Sequence, residues 1–222
     1  MKAVPPISDP NVYSVLVLPE TVLFPKVTMT VALIEEREHL LVEDLVAGLT
    51  PGREVPPRLV FSLCQWDSQY AEKLLPNPIA TLAELTDWEL GGAYERRIEL
   101  KGIERVELGK IMQQDPFVRA RVEPLGAPGW SRPTRGKSLS QATEALRKQA
   151  QNLAFGKDEP AAKFLLNTLE WITDPGVLAD YVAHHLVSDW YLKQEILEMV
   201  DPAERVQALL EVLGTGKDRL AR

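Results

Sequence analysis

Residues 94–122 read YERRIELKGIERVELGKIMQQDPFVRARV, and the fold class turns on this stretch. Tyr94, Arg96, Ile98 and Leu100 fall on one face of an extended chain, because successive side chains of a strand point to opposite sides. Val106, Leu108 and Lys110 share a face of a second piece, with Glu107, Gly109 and Ile111 opposite. Phe117–Val122 alternates again. This is the signature of consecutive half-buried strands.

Working upstream, Ile79–Leu85 (IATLAEL), Leu59–Leu63 (LVFSL) and Tyr13–Leu18 (YSVLVL) are short apolar runs. Val27–Leu33 alternates around Met29, Val31 and Leu33. Several short strands with turn residues between them predict a closed or half-closed β barrel. One helix is expected inside the series, over Glu36–Ala47. Its apolar residues Leu40, Leu41, Leu45 and Val46 recur at helical spacing, and Gly48 is its stop.

Working downstream, residues 126–137 read GAPGWSRPTRGK, a Pro/Gly-rich stretch with Arg132, Arg135, Lys137 and no acid. It reads as a linker, dividing a barrel domain over 1–125 from a second domain over 138–222. Beyond it the apolar period becomes 3.6 residues. Ser138 and Gln141 form a capping-box pattern, followed by a stripe of Leu139, Ala142, Leu146, Ala150 and Leu153. Asp158 with Pro160, Asp174-Pro175 and Asp201-Pro202 mark three more helix starts. Aspartate accepts orphan N–H groups there, and proline at the first helical position has none to lose. A further helix over Tyr191–Val200, capped by Ser188 or Asp189, gives a bundle of about five helices ending at Gly214. The expected class is α+β: mainly antiparallel short strands with one inserted helix, then a helical bundle.

Composition narrows the function. The net charge is −7 over 222 residues. The barrel region carries −6, the linker +3 and the bundle −4, so only the linker is basic. Phosphate contacts supply most nonspecific nucleic-acid affinity, so that balance disfavours nucleic acid as a partner. No apolar run approaches the ~18 residues of a membrane-spanning helix, and MKAVPPISDPNVY carries no apolar leader core, so no membrane partner is expected. The single cysteine, Cys64, excludes an internal disulfide and fits a cytoplasmic location.

Catalytic and ligand motifs are sought in turn. Gly214-Thr215-Gly216-Lys217-Asp218 is not a phosphate loop: Glu211 stands where the first glycine belongs, and Asp218 replaces the magnesium-binding hydroxyl. His184 and His185 are sequence neighbours, about 100° apart on a helix, and have no metal-ligand spacing around them. Cys64 lies in an apolar run, where a thiol is an inert small hydrophobe. Glu35, Glu36 and Glu38 cluster at a helix start and read as solvated acids favoured by the helix dipole. No nucleophile, base and orienting group can be named together. The expectation is a chain with no enzyme activity, cofactor or metal. Among the five tryptophans, Trp171 and Trp190 read as caps of the bundle core. Trp66 and Trp130 have polar neighbours and read as contact residues.

The order of these elements resembles the N-terminal domain of the Lon proteases. The opening VLVLPETVLFPKVTMTVALIEEREHLLVEDLVAG (residues 15–48) carries it through Leu18, Pro19, Val22, Phe24, Pro25, Val31, Leu33, Arg37 and Leu41. RLVFSLCQ (58–65), Asn77–Leu85, Leu100–Leu108 and Val122–Leu125 follow in the family's order. Pro78-Ile79 stands where the family has glycine-threonine. DPGVLADYVAHHL (174–186) and KQEILEMVDPAERVQALLEVL (193–213) resemble its helical end. The resemblance implies a PUA-like pseudo-barrel joined to a helical bundle. It further implies a non-catalytic module that recognises unfolded, partly folded or degron-bearing proteins or regulates proteolysis, with a protease as a further partner. The family's ATPase and Ser-Lys protease domains have no counterpart in these 222 residues. Two readings follow: a stand-alone module, favoured by Gly214 and Gly216 interrupting the last helix, or the N-terminal fragment of a complete Lon protease. A third reading, an RNA-binding PUA-like protein using the linker and Trp130, runs against the acidic balance. The polypeptide-binding candidates are Phe24, Pro25, Trp66 and Trp130.

Overall fold

The computed structural model describes residues 9–48, 55–65, 74–89, 96–125, 137–154 and 160–215. The chain groups into two compact units, one made of Met1–Leu23 and Thr28–Leu125, the other of Phe24–Val27 and Gly126–Arg222.

Among the described residues, the first unit holds seven strands and one helix: β1 (Val12–Leu18), β2 (Thr28–Ala32), α1 (Glu36–Ala47), β3 (Arg58–Gln65), β4 (Leu75–Pro76), β5 (Ile79–Glu89), β6 (Arg97–Gln113) and β7 (Val118–Pro124). β1, β7, β6, β5 and β3 pair in that order, and β3 returns to β1. The ring is closed by the parallel β1–β3 pair, Val15↔Val60 to Leu18↔Leu63; the other pairs are antiparallel. β2 is added to β6, and β4 to β3. Closure leaves each ring strand paired on both sides, which removes most of the exposed edge. Val15, Val17, Val60, Cys64, Ala80, Leu82, Val106, Ala120 and Val122 form one buried cluster within it. β1 and β3 are buried over nearly their whole length. That explains why they read as continuous apolar runs rather than alternating ones.

The alternation over 94–111 suggested two strands, and the structure has one of 17 residues. Leu82 pairs with Glu104 and Ala83 with Gly102, so Ile103 is an extra residue on β6. A bulge bends the strand without ending it. The break in alternation there is therefore a bend and not a turn.

α1 spans the expected residues and ends at Gly48. Its first turn departs from the solvated reading. Glu38 is only 6% exposed, and its Oε2 accepts from the N–H groups of Ile34 (2.7 Å) and Glu35 (3.0 Å). Those two donors would otherwise be orphaned, and the carboxylate sits at the positive end of the helix. Buried Arg119 of β7 holds the other end, 2.7 Å from Asp44 with its guanidinium over the Phe117 ring.

The second unit contains α2 (Lys137–Ala154), α3 (Pro160–Trp171), α4 (Pro175–Leu186), α5 (Trp190–Glu198) and α6 (Pro202–Thr215). The aspartate caps form as expected. Asp174 accepts from Val177 N–H (2.9 Å), Asp189 from Tyr191 (2.8 Å) and Leu192 (3.2 Å), and Asp201 from Ala203 (2.9 Å). α2 opens one residue before Ser138, which places that serine inside the helix. Arg147 of α2 donates to the carbonyls of Leu169 and, at 2.7 Å, Ile172, closing the end of α3. Arg205 of α6 lies 3.1 Å from Asp180 of α4, with both side chains buried. It also donates to the last carbonyls after α5, those of Met199 and Val200. A Cβ on Gly176 would stand 2.6 Å from Arg205 Nη2, so a larger residue there would displace the guanidinium from its place beside Asp180.

Candidate functional site

Two features of the barrel unit can meet an extended chain: a cavity and a free strand edge. The cavity is about 130 Å³. Its apolar wall comes from Val15 and Val17 of β1, Leu41 of α1, Leu74, and Phe117 and Val118 at the start of β7. Arg37, Gln114 and Asp115 supply its polar lining. Residues 114–116 are exposed and form the turn that carries the cis Asp115–Pro116 bond. Arg37 pairs through Nη2 with Glu35, while its Nε is buried without a hydrogen-bond partner. Glu38 also lines the cavity, but its carboxylate is occupied by the two backbone donors of its own helix start.

The free edge is β2. It pairs with β6 from Thr28↔Lys101 to Ala32↔Arg97 and has no second partner strand among the described residues. Ile34 follows it at 84% exposed. Val31, Ile98 and Trp88 lie in one cross-strand row, with Trp88 partly exposed at the β5 end.

The candidates from sequence are distributed differently. Phe24 is 0% exposed and Pro25 is buried, so neither offers surface to a polypeptide while this local structure holds. Trp66 and Trp130 lie outside the described residues. Trp171 is a correction: it is 83% exposed and caps no core. Phe164, seven residues before it, is 66% exposed, which puts both on the same face of α3. The opposite face buries Ala162, Leu165 and Leu169. The spacing of Phe164, Thr168 and Trp171 carries this second stripe in the sequence. Trp190 is half-buried and stacks on Tyr191, which is 61% exposed.

The groups with reactive chemistry sit in quiet settings. Cys64 is buried, and burial pushes its thiol up from the ordinary value, which keeps it protonated. The His184 and His185 rings meet edge to face at 4.8 Å, and Tyr181 lies 4.3 Å from His185. Burial, then Lys193, lowers the His185 pKa. Among the described residues no group of three or more His, Cys, Asp or Glu is placed to hold a metal ion. No helix among them is long and apolar enough to cross a membrane.

Comparison with known proteins decides the family. The model of the ATP-dependent protease La (LON) substrate-binding domain matches residues 12–215. The chain belongs to the LON substrate-binding domain family. The Lon protease of Citrifermentans bemidjiense is 28% identical over 220 residues, which is 96% of this chain and 25% of that protein. The Lon protease of Dictyoglomus thermophilum is 24% identical over 203 residues, 89% of this chain and 24% of that protein. The chain thus spans about a quarter of the length of these relatives. The solved N-terminal domain of the Mycobacterium avium complex Lon protease superposes with a TM-score of 0.71 at 16% identity, covering 91% of this chain and 98% of that one. The Lon N-terminal domain protein from Xanthomonas campestris gives 0.61 at 16% identity, covering 90% and 97%. These superpositions show the same fold: the barrel with its inserted helix, and the helical region. This LON substrate-binding domain carries the family pattern through both of its units.

Proposed function

We propose that this domain is a non-catalytic recognition module of the cytoplasm that binds unfolded, partly folded or degron-bearing polypeptides for proteolysis. The observation that carries this reading is the match of residues 12–215 to a substrate-binding domain family. The free β2 edge and the apolar cavity support it physically. A strand edge offers main-chain hydrogen bonds to any extended chain, and a pocket offers side-chain selectivity. The exposed Phe164, Trp171 and Tyr191 of the helical unit add apolar surface of the kind that holds unfolded segments. Trp66 and Trp130 are proposed as further contacts, on their polar sequence settings. A Lon-type ATPase and protease, on the same chain or another, is the proposed recipient of what is bound.

The test is fluorescence anisotropy with a labelled, permanently unfolded polypeptide, at low and physiological salt. A labelled single-stranded RNA runs in parallel. Polypeptide binding that survives salt is expected. RNA binding that collapses with salt, with no polypeptide binding, overturns the reading.

A further inference from the structure

We infer that the cavity walled by α1, β1 and the start of β7 is a subsite for one bulky apolar side chain of an extended polypeptide, whose adjoining peptide group is held by Arg37 and Asp115. This rests on the polypeptide-binding reading and deepens it, by naming the place and the chemistry of one contact.

The volume sets the size of the guest. About 130 Å³ is close to the ~150 Å³ of an apolar cavity that takes up benzene, so it suits one leucine or phenylalanine side chain. Val15, Val17, Leu41, Phe117 and Val118 give that side chain an apolar wall.

The polar lining selects what accompanies the side chain. The Arg37 side chain lines the cavity and is partly exposed, so its guanidinium can donate to a carbonyl oxygen there. Asp115 is exposed and makes no hydrogen bond or ion pair among the described residues, so its carboxylate is a free acceptor. Glu35 neutralises Arg37, and Glu38 is satisfied by backbone N–H groups. The charge without a counter-charge in the lining is negative, on Asp115 and Glu38. A C-terminal carboxylate is therefore repelled. An interior peptide group supplies one C=O for Arg37 and one N–H for Asp115. The occupant is an interior apolar residue of an extended chain.

The experiment titrates the isotope-labelled protein with short acetylated and amidated peptides, Gly-Ser-X-Ser-Gly with X leucine, phenylalanine, alanine or aspartate, and follows amide shifts by NMR. Leucine and phenylalanine peptides are expected to shift Arg37, Leu41, Phe117 and Val118. The alanine peptide binds about ten- to a hundred-fold more weakly, the difference expected for burying a large side chain. Val118→Phe, which fills the cavity from a half-buried position, and Arg37→Gln, at a partly exposed side chain, each weaken leucine-peptide binding at least about fivefold. Circular dichroism melts establish that both variants fold; if Val118→Phe does not, Arg37→Gln carries the test. The unfolded polypeptide is titrated against all three proteins. If it binds the wild type and both variants equally, the subsite is overturned and the general reading stands. If it does not bind the wild type, the general reading fails and this inference with it. Shifts confined to other residues, equal affinity for the alanine peptide, or much tighter binding of a peptide with a free N-terminal amine or a free C-terminal carboxylate overturn the assignment.

Discussion

Replacing Arg205 with methionine tests what holds the helical unit together. The Arg205 and Asp180 side chains are 5% and 4% exposed, with Nε 3.1 Å from Oδ1. Methionine keeps the apolar stem and deletes the charge. It leaves the Asp180 carboxylate buried and deprived of its guanidinium. Removing one member of a buried ion pair costs about 3–5 kcal/mol. The carbonyls of Met199 and Val200 also lose a donor, but both residues are half-exposed and water can reach them. A domain holds only about 5–15 kcal/mol in total, so the variant sits near the edge of folding. Urea unfolding followed by circular dichroism at 222 nm reads mainly this unit, which holds five of the six helices among the described residues. With a slope of about 2 kcal/mol/M, the midpoint falls by about 1.5–2.5 M. Adding Asp180→Leu removes the stranded charge, and the double variant recovers more than half of the loss, because an apolar replacement of a whole buried pair is often neutral. A midpoint for Arg205→Met within about 0.5 M of wild type, or no recovery in the double variant, refutes the reasoning.

Arg147→Met opens the end of α3, whose Leu169 and Ile172 carbonyls lose their donor; a loss of about 1–3 kcal/mol is expected in the same urea assay. The lowered pKa of His185 predicts acid sensitivity. The unfolded chain takes up this proton near the ordinary value of 6.5 and the folded chain only at lower pH, so stability is full above that value and falls as pH drops below it. Thermal melts at pH 7.5 and 5.5 should show the decline, and His185→Gln should flatten it; an unchanged slope rejects the assignment. Phe164→Ser with Trp171→Ser should change stability by less than about 1 kcal/mol, because both side chains are exposed, while weakening capture of unfolded polypeptide. Equal capture by the double variant removes that face from the binding surface.

Features set by near neighbours in the chain are legible in this sequence, and most of those that are not depend on tertiary packing. Asp-Pro and Asp-Trp steps at 174, 189 and 201 place helix starts, because capping depends on neighbours within three residues. The run SVLVL on β1 reads as a strand buried on both faces. The Ile103 bulge looks like a break in the sequence, because alternation cannot separate a bend from a turn. The size and apolarity of Trp171 point to a core, but they say nothing about which helix face is covered. Arg205 and Asp180 lie on different helices, and Arg37 and Asp115 are far apart in sequence. Their meeting depends on tertiary packing, which no periodicity encodes. The solvated reading of Glu38 failed for the opposite reason, since the E-x-x-E step from Glu35 to Glu38 already held the reciprocal capping geometry.

The way the barrel closes also limits how a client can be held. Among the described residues, the ring strands pair on both sides, and only β2 and β4 end the pairing. β4 is two residues long, and Pro76 has no N–H to donate. β2 is five residues without proline, and alternate residues Thr28, Thr30 and Ala32 are exposed. A polypeptide that adds to this barrel as a strand therefore has one edge of useful length. It would lie beside Ile34, with the Val31–Ile98–Trp88 row beneath. Main-chain pairing there is indifferent to sequence, so any preference among clients must come from side-chain pockets. That is the demand the cavity beside Arg37 is built to meet, and it makes edge and cavity separable by mutation: a proline in β2 should lower affinity for all extended peptides alike, whereas Val118→Phe should lower it only for those with a bulky apolar residue.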